Sequence, residues 1–341
     1  KFESLAASGA TGKAGAEDST GGWLQRIRIF TLRRSRGIIG ITLVMVLLCL
    51  FGVQRIVVND NPVRWFADEH PIRVADDVLN DHFAGTYMAY LALEATDAEN
   101  EPEAILAKLQ GRLDDFTGSR PEFRSLAGHF MDQAREVLRD RHKTDELLPA
   151  LEELSENAMD TGAEEEFVFW ETVQFAIETV QQERQHFKNP EVLAYISDLQ
   201  EILATTGIVG KSISVADYSK TVYRELLGGQ SEDYRIPETA RGVAQTYLTS
   251  QSGHRPQDLW RFVTPDYRTA SIWVLLNSGD NVDMSRVVQA VEAYMKDNPP
   301  PVALSPAWFG LTYINVVWQE KMVSGMLDSI ASGFLAVLLL M

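Results

Sequence analysis

TASIWVLL, residues Thr269–Leu276, is a short run of apolar, β-branched and aromatic residues that reads as a buried strand. After it, Met284, Val287, Val288, Val291, Tyr294 and Met295 recur at helical spacing, and a further strand falls near Pro301–Phe309. The same order occurs upstream. Thr86–Leu93 (TYMAYLAL) reads as a buried strand. Asn189-Pro190-Glu191 supplies an N-cap with proline at the first helical position. Val192, Leu193, Ile196, Leu199, Ile202 and Leu203 then give that helix its buried side. Val209–Ala216 is a strand leading to a helix that ends near Leu227, and two more helical pieces start at Pro237 and Pro256. Strand–helix–strand thus occurs twice, the pattern of a split βαβ (ferredoxin-like) α+β domain: a four-stranded sheet with helices on one face.

Residues 97–188 depart from that alternation. Ile105, Leu106, Leu109, Leu113 and Phe116 form one helical stripe, and Leu126, Phe130, Ala134, Val137 and Leu138 a second. Phe167, Trp170, Val173, Ile177 and Val180 form another. Ser119-x-x-Glu122 and Thr161-x-x-Glu164 match capping boxes. The stretch is expected to be a helical insertion of three or four amphipathic helices. Ahead of the first strand, Pro71 marks a helix start, with Ile72, Ala75, Val78, Leu79 and Phe83 on one side and Gly85 beyond. Val57–Asn61 reads as extended.

Two apolar segments flank these elements. Gly37–Val53 (GIIGITLVMVLLCLFGV) follows a cluster of five arginines, Arg26, Arg28, Arg33, Arg34 and Arg36, and a second apolar run covers Ile330–Met341. About 17–25 apolar residues cross a hydrocarbon core, and arginine-rich flanks stay cytoplasmic. The first segment is therefore expected to span a membrane with the middle of the chain on the far side. The second is expected to begin a return span, cut short. Residues 3–22, rich in Gly, Ala, Ser and Thr, read as a flexible linker, and Trp23, Leu24, Ile27 and Phe30 alternate with arginines as in an interfacial helix. The expected organisation is linker and interfacial helix over 1–36, span over 37–55 and a first domain part over 56–96. The insertion over 97–188, a second domain part over 189–322 and a truncated helix over 323–341 complete it.

A net charge of −17 across 341 residues argues against nucleic acid, whose binding rests on a basic footprint. It also disfavours a flat association with anionic lipid. Cys49, the only cysteine, lies in the first apolar run, so no intrachain disulfide can form. His70, His82, His129, His142, His186 and His254 show no pair at metal-ligand spacing. Gly9-Ala-Thr-Gly12-Lys13-Ala14 and Gly207-Ile-Val-Gly210-Lys211-Ser212 resemble phosphate loops, but neither has the strand, glycine loop and helix N-terminus in the needed order. No Gly-x-Ser-x-Gly elbow is present, and the carboxylates at 164–166 read as a solvated helix face. No catalytic residue, cofactor or metal is expected. Trp308, Phe309, Tyr313 and Trp318 cluster near the second apolar segment, and Trp308, Tyr313 and Trp318 are candidates for an apolar substrate path, against interfacial anchoring and core packing.

Five blocks in order resemble the hydrophobe/amphiphile branch of the resistance–nodulation–division exporters, relatives of the mycobacterial lipid exporters and of Patched. They are Val58–Phe66 (VNDNPVRWF), His70–Leu91 (HPIRVADDVLNDHFAGTYMAYL), Asn189–Gln200 (NPEVLAYISDLQ), Val209–Leu226 (VGKSISVADYSKTVYREL) and Trp308–Leu327 (WFGLTYINVVWQEKMVSGML). The resemblance implies a periplasmic porter loop of the second homologous half, in a proton-driven exporter of lipid-like molecules in a bacterial inner membrane. Its partners would be the remaining membrane helices, the other porter half, a lipid or amphiphile and, in one arrangement, further copies of itself. Proton coupling would rest on intramembrane carboxylates outside this chain. A two-span periplasmic sensor is the alternative, for which the long helices of 97–188 are suited.

Overall fold

The computed structural model describes residues 29–53, 59, 61–96, 102–140, 144–253 and 255–340. The expected linker, the Gly9–Ala14 motif and most of the interfacial helix lie outside the described residues, as do 97–101 and part of the extended stretch at 57–61. The chain divides into two compact units, Lys1–Val58 and Asn59–Met341.

In the first unit, helix α1 covers Ser35–Val53. Leu43, Val44, Met45, Val46 and Leu47 are successive residues that point all round it, and each is exposed. Among the described residues, no helix is long and apolar enough to cross a membrane. The complete span expected over 37–55 is thus not found. The helix stops at Val53 within the described residues, and its uninterrupted apolar part begins only at Gly37. Seventeen residues rise about 25 Å, short of a hydrocarbon core of about 30 Å.

The second unit is an α+β assembly with two cores. Strands β1 (Tyr87–Ala95), β2 (Val209–Ile213), β3 (Thr269–Leu276) and β4 (Leu304–Phe309) form one sheet in the order β2-β3-β1-β4, every neighbouring pair antiparallel. Period-two alternation assigns the two faces. Ala89, Leu91, Leu93 and Ala95 of β1 and Ala270, Ile272, Val274 and Leu276 of β3 are all buried. They meet Val192, Leu193, Ile196, Leu199 and Leu203 of helix α7 (Pro190–Thr205) and Met284, Val287 and Val291 of helix α10 (Asn281–Asp297). Each Leu, Ile, Val and Met among them contributes about 1.5–3 kcal/mol by leaving water, the alanines less. Asn189 caps α7, its side chain accepting from the Glu191 amide at 3.0 Å, as its sequence position predicts.

Helices α3 (Pro102–Ser119), α4 (Arg124–Asp140), α5 (Thr144–Thr161) and α6 (Phe167–Glu183) build the second core. Ile105, Leu109, Leu113, Phe130, Leu147, Leu151, Phe169 and Ile177 lie at its centre. Phe167 departs from its expected stripe and is 51 % exposed, while Phe169 is fully buried. A 3-10 turn at Glu164–Glu166 precedes the helix, which starts only at Phe167 and so sets the phase there. Both expected capping boxes are absent. Ser119 and Thr161 each close a helix, and their hydroxyls donate back to the carbonyls of Phe116 (2.9 Å) and Asn157 (2.7 Å). The box forms instead at Ser214 and Asp217, where Ser214 Oγ accepts from the Ala216 amide at 3.1 Å and Asp217 Oδ2 from the Ser214 amide at 2.9 Å. Helix α8 (Val215–Leu226) therefore begins earlier than expected and ends β2 at Ile213. Helix α9 spans Ala240–Gln251, and the piece expected from Pro256 is a 3-10 turn over Pro256–Arg261.

Helix α2 (Pro71–His82) is capped by His70, yet none of its residues is buried. Its stripe of Ile72, Val78, Leu79 and Phe83 stays exposed. Helix α11 runs unbroken over Leu311–Leu340. Thr312 Oγ1 donates to the Met88 carbonyl at 3.0 Å, and Asn281 Nδ2 donates to Gln319, fixing the start of α11 to the sheet and to α10. Gly310 makes the turn from β4 into α11 at φ +102°, where a Cβ would meet the Tyr90 ring at 2.9 Å.

Candidate functional site

Trp308 pairs with Leu91 across β4 and β1, so its indole shares the face covered by helices. It is half-buried, lies 6.5 Å from the Tyr313 ring at 36°, and packs with Tyr313 and Val316 against the sheet core. Trp308 Nε1 is buried with no hydrogen-bond partner among the described residues. Trp318 lies further along α11 and is 55 % exposed. The fold therefore brings together two of the three expected residues, Trp308 and Tyr313, and leaves Trp318 apart.

The neighbouring position in the register does something else. Tyr90 lies opposite both Phe309 and Trp273, on the sheet face that no helix buries. Tyr90 and Phe309 stack at 5.0 Å and 14°, and Trp273 meets Tyr90 edge-on at 5.5 Å and 87°. Trp273 in turn contacts Phe262 at 5.4 Å, and Phe262 contacts Tyr218 at 6.1 Å. The Trp273 indole N–H donates to the Arg261 carbonyl at 3.2 Å. Its polar end is thereby satisfied. Five rings form a continuous row, with Phe309 at its open end 44 % exposed. Each aromatic pair adds about 0.5–1.5 kcal/mol beyond burial. Tyr90, Trp273 and Phe309 stand on the open sheet face, while Phe262 and Tyr218 pack against the sheet core. Sequence reading missed Tyr90 and Trp273, although parity carries the signal: Trp273 lies between Ile272 and Val274.

A polar cleft of about 290 Å³ lies elsewhere in this unit, lined by Asn61, Arg64, Arg73, Asp76, Asp81 and Tyr87 among others. Asn61 Nδ2 donates to Asp280 Oδ1 at 2.9 Å, and Arg64 Nη1 reaches Asp280 Oδ2 at 2.9 Å, which ties the segment before α2 to the start of α10. The Tyr87 hydroxyl donates to Asp76 Oδ2 at 2.8 Å. Burial, then that bond to the Asp76 carboxylate, pushes the Tyr87 phenol well above its usual range. The arrangement binds polar groups to one another. Among the described residues, no cluster of three or more His, Cys, Asp and Glu could hold a metal ion. In the Gly207–Ser212 motif, Lys211 lies within β2, and the following helix has its N-terminus capped by Ser214.

Other phenols are also raised, chiefly by burial, among them Tyr195, pushed up to about 12, and Tyr247. The folded chain keeps these protons beyond pH 10, where the unfolded chain releases them. Their contribution to stability is therefore intact below about pH 10 and is lost as pH rises toward 12. The urea midpoint should fall steadily above pH 10. Tyr195→Phe should make that fall shallower, measured by urea unfolding across a pH series, and an equal slope in both proteins would refute the assignment.

Comparison of the chain with protein-family profiles, with curated proteins and with solved structures finds no match.

Proposed function

We propose that this chain is the periplasmic porter part of a proton-driven exporter of the resistance–nodulation–division type, handling hydrophobic or amphiphilic, lipid-like molecules. The observation that carries this reading is the group of Trp273, Tyr90 and Phe309 on the sheet face that helices leave open, continued by Phe262 and Tyr218. An acyl chain or a fused-ring lipid gains from lying on such a row, and asks for no buried charge. The strand order β2-β3-β1-β4 supports a split βαβ domain, because β1 and β2 are parallel with β3 between them, and β3 and β4 with β1 between them. The uncovered stripe of α2 fits a surface packed against the other porter half. Membrane attachment is part of the proposal. It rests on α1, with apolar side chains exposed all round, and on the apolar end of α11. A short span is accommodated by local thinning of the bilayer at modest cost. No catalysis is assigned to this chain.

A second reading, a two-span sensor, is favoured by one observation: α11 continues without a break from the sheet through Leu340, as a signalling helix would. Native mass spectrometry of the full-length protein, gently purified from membranes, separates the two. A discrete co-purifying lipid class is the expected result. Retention of a small polar ligand and no lipid would overturn the exporter reading in favour of the sensor.

A further inference from the structure

From Thr144 to Glu183 the sequence carries twelve Asp and Glu and no Lys, Arg or His. These residues include α5 and α6, which pack on each other and bury their inner sides in the helical core. The outer face of α6 is not simply polar. Phe167 and Val168 are exposed, and Phe175 is 66 % exposed. Val168, Thr172, Phe175 and Thr179 follow one another at steps of four, three and four, the spacing of a coiled-coil seam. Thr172 Oγ1 donates to the Val168 carbonyl and Thr179 Oγ1 to the Phe175 carbonyl, each at 2.7 Å. Both hydroxyls are satisfied by the helix's own backbone, so the seam asks a neighbour for no hydrogen bond.

A second stripe runs beside the first. Glu171 and Glu178 stand seven residues apart, each directly before a seam threonine, which places both along one edge of the seam. Neither makes an ion pair among the described residues. Glu178 accepts from Gln182 Nε2 at 3.0 Å, a neutral donor that leaves its charge uncompensated. Glu183, at the end of α6, differs: Arg112 and Lys108 of α3 hold it. An apolar seam edged by unpaired carboxylates matches a helix with apolar residues on one side and cations beside them. A second copy of this chain fits poorly, because it would bring the same all-acidic surface to the contact. An anionic lipid surface is disfavoured by the same charge.

We propose that the outer face of α6 docks a cationic amphipathic helix of a partner protein. Its apolar side chains would pack on Val168, Thr172, Phe175 and Thr179, and its lysines or arginines would meet Glu171 and Glu178. The seam runs for about 16 Å, so the contact is small and of the transient class. It uses no residue of the aromatic row and stands whether or not the chain belongs to an exporter.

Three labelled synthetic helical peptides, titrated into the full-length protein in one non-ionic detergent and followed by fluorescence anisotropy, test it. The first carries leucines at seam spacing with lysines beside them. The second has glutamates in place of the lysines, and the third has the composition of the first with the seam order scrambled. Saturable one-to-one binding is expected for the first, and binding at least about tenfold weaker for the others. Phe175→Ser should weaken the first about tenfold, the loss of a central apolar anchor, and its exposure leaves the urea midpoint unchanged. Glu171→Gln combined with Glu178→Gln should weaken it about three- to tenfold and flatten its dependence on salt. Equal binding of the scrambled peptide would reduce the surface to non-specific charge attraction and overturn the proposal. Absence of binding by the first peptide, or unchanged affinity in Phe175→Ser, would overturn it too. A protein that sediments as a dimer and becomes monomeric on Phe175→Ser would assign the face to a second copy instead.

Discussion

Tyr247→Ala is expected to lower the stability of the folded chain by about 3–5 kcal/mol, the range for removing a large buried ring. Tyr247 is fully buried, and its hydroxyl donates to the Phe187 carbonyl at 3.1 Å. Its ring stacks on Tyr267 at 5.6 Å and 5°. Tyr267 is the non-glycine residue with positive φ, +55°, among the described residues. Such backbone conformations persist only where the surroundings hold them. Tyr247 supplies one wall of that hold, Gln251 a second through its 2.7 Å bond to the Tyr267 hydroxyl, and Phe187 a third through its amide. Removing the ring leaves a cavity, an unpaired Phe187 carbonyl and a released turn. Tyr247→Phe keeps the ring and loses only the hydroxyl bond, so it should cost about 1 kcal/mol. Urea unfolding of both variants measures the difference. A loss below about 1 kcal/mol for the alanine variant would mean that the turn is held without Tyr247.

The four strands were readable because each is a brief apolar run closed by polar or turn residues; Thr269–Leu276 has the observed bounds. Three of the four helices of 102–183 were readable from their stripes, which depend only on local spacing, and Thr144–Thr161 had none assigned. What local spacing cannot carry is the role of a residue at an element boundary. Ser119 and Thr161 fit a capping pattern, yet they close helices rather than open them, and the same hydroxyl can serve a carbonyl as well as an amide. The aromatic row was hidden for another reason. Tyr90, Trp273 and Phe309 come from three strands far apart in the chain, and only the register places them side by side.

Register also separates two tryptophan-region variants by what they should disturb. Trp308→Ala should cost about 2–4 kcal/mol, somewhat less than a fully buried ring, because the indole is half-buried beneath α11 and packs on Tyr313. Apolar ligand binding should then be little changed. Tyr90→Ser combined with Phe309→Ser should behave oppositely. The pair removes the open end of the row on the uncovered face, losing about 0.5–1.5 kcal/mol of stacking beyond the partial burial of the two rings. Binding of a fluorescent phospholipid analogue should weaken at least about tenfold, since the apolar rings that the acyl chain would cover are gone. Titration of the analogue against each variant, alongside its urea midpoint, gives both numbers on the same samples. Unchanged binding in the double variant, with binding lost in a folded Trp308→Ala protein, would move the apolar site from the open face to the contact between β4 and α11. Loss of stability without loss of binding in Trp308→Ala would instead confine that indole to holding α11 against the sheet.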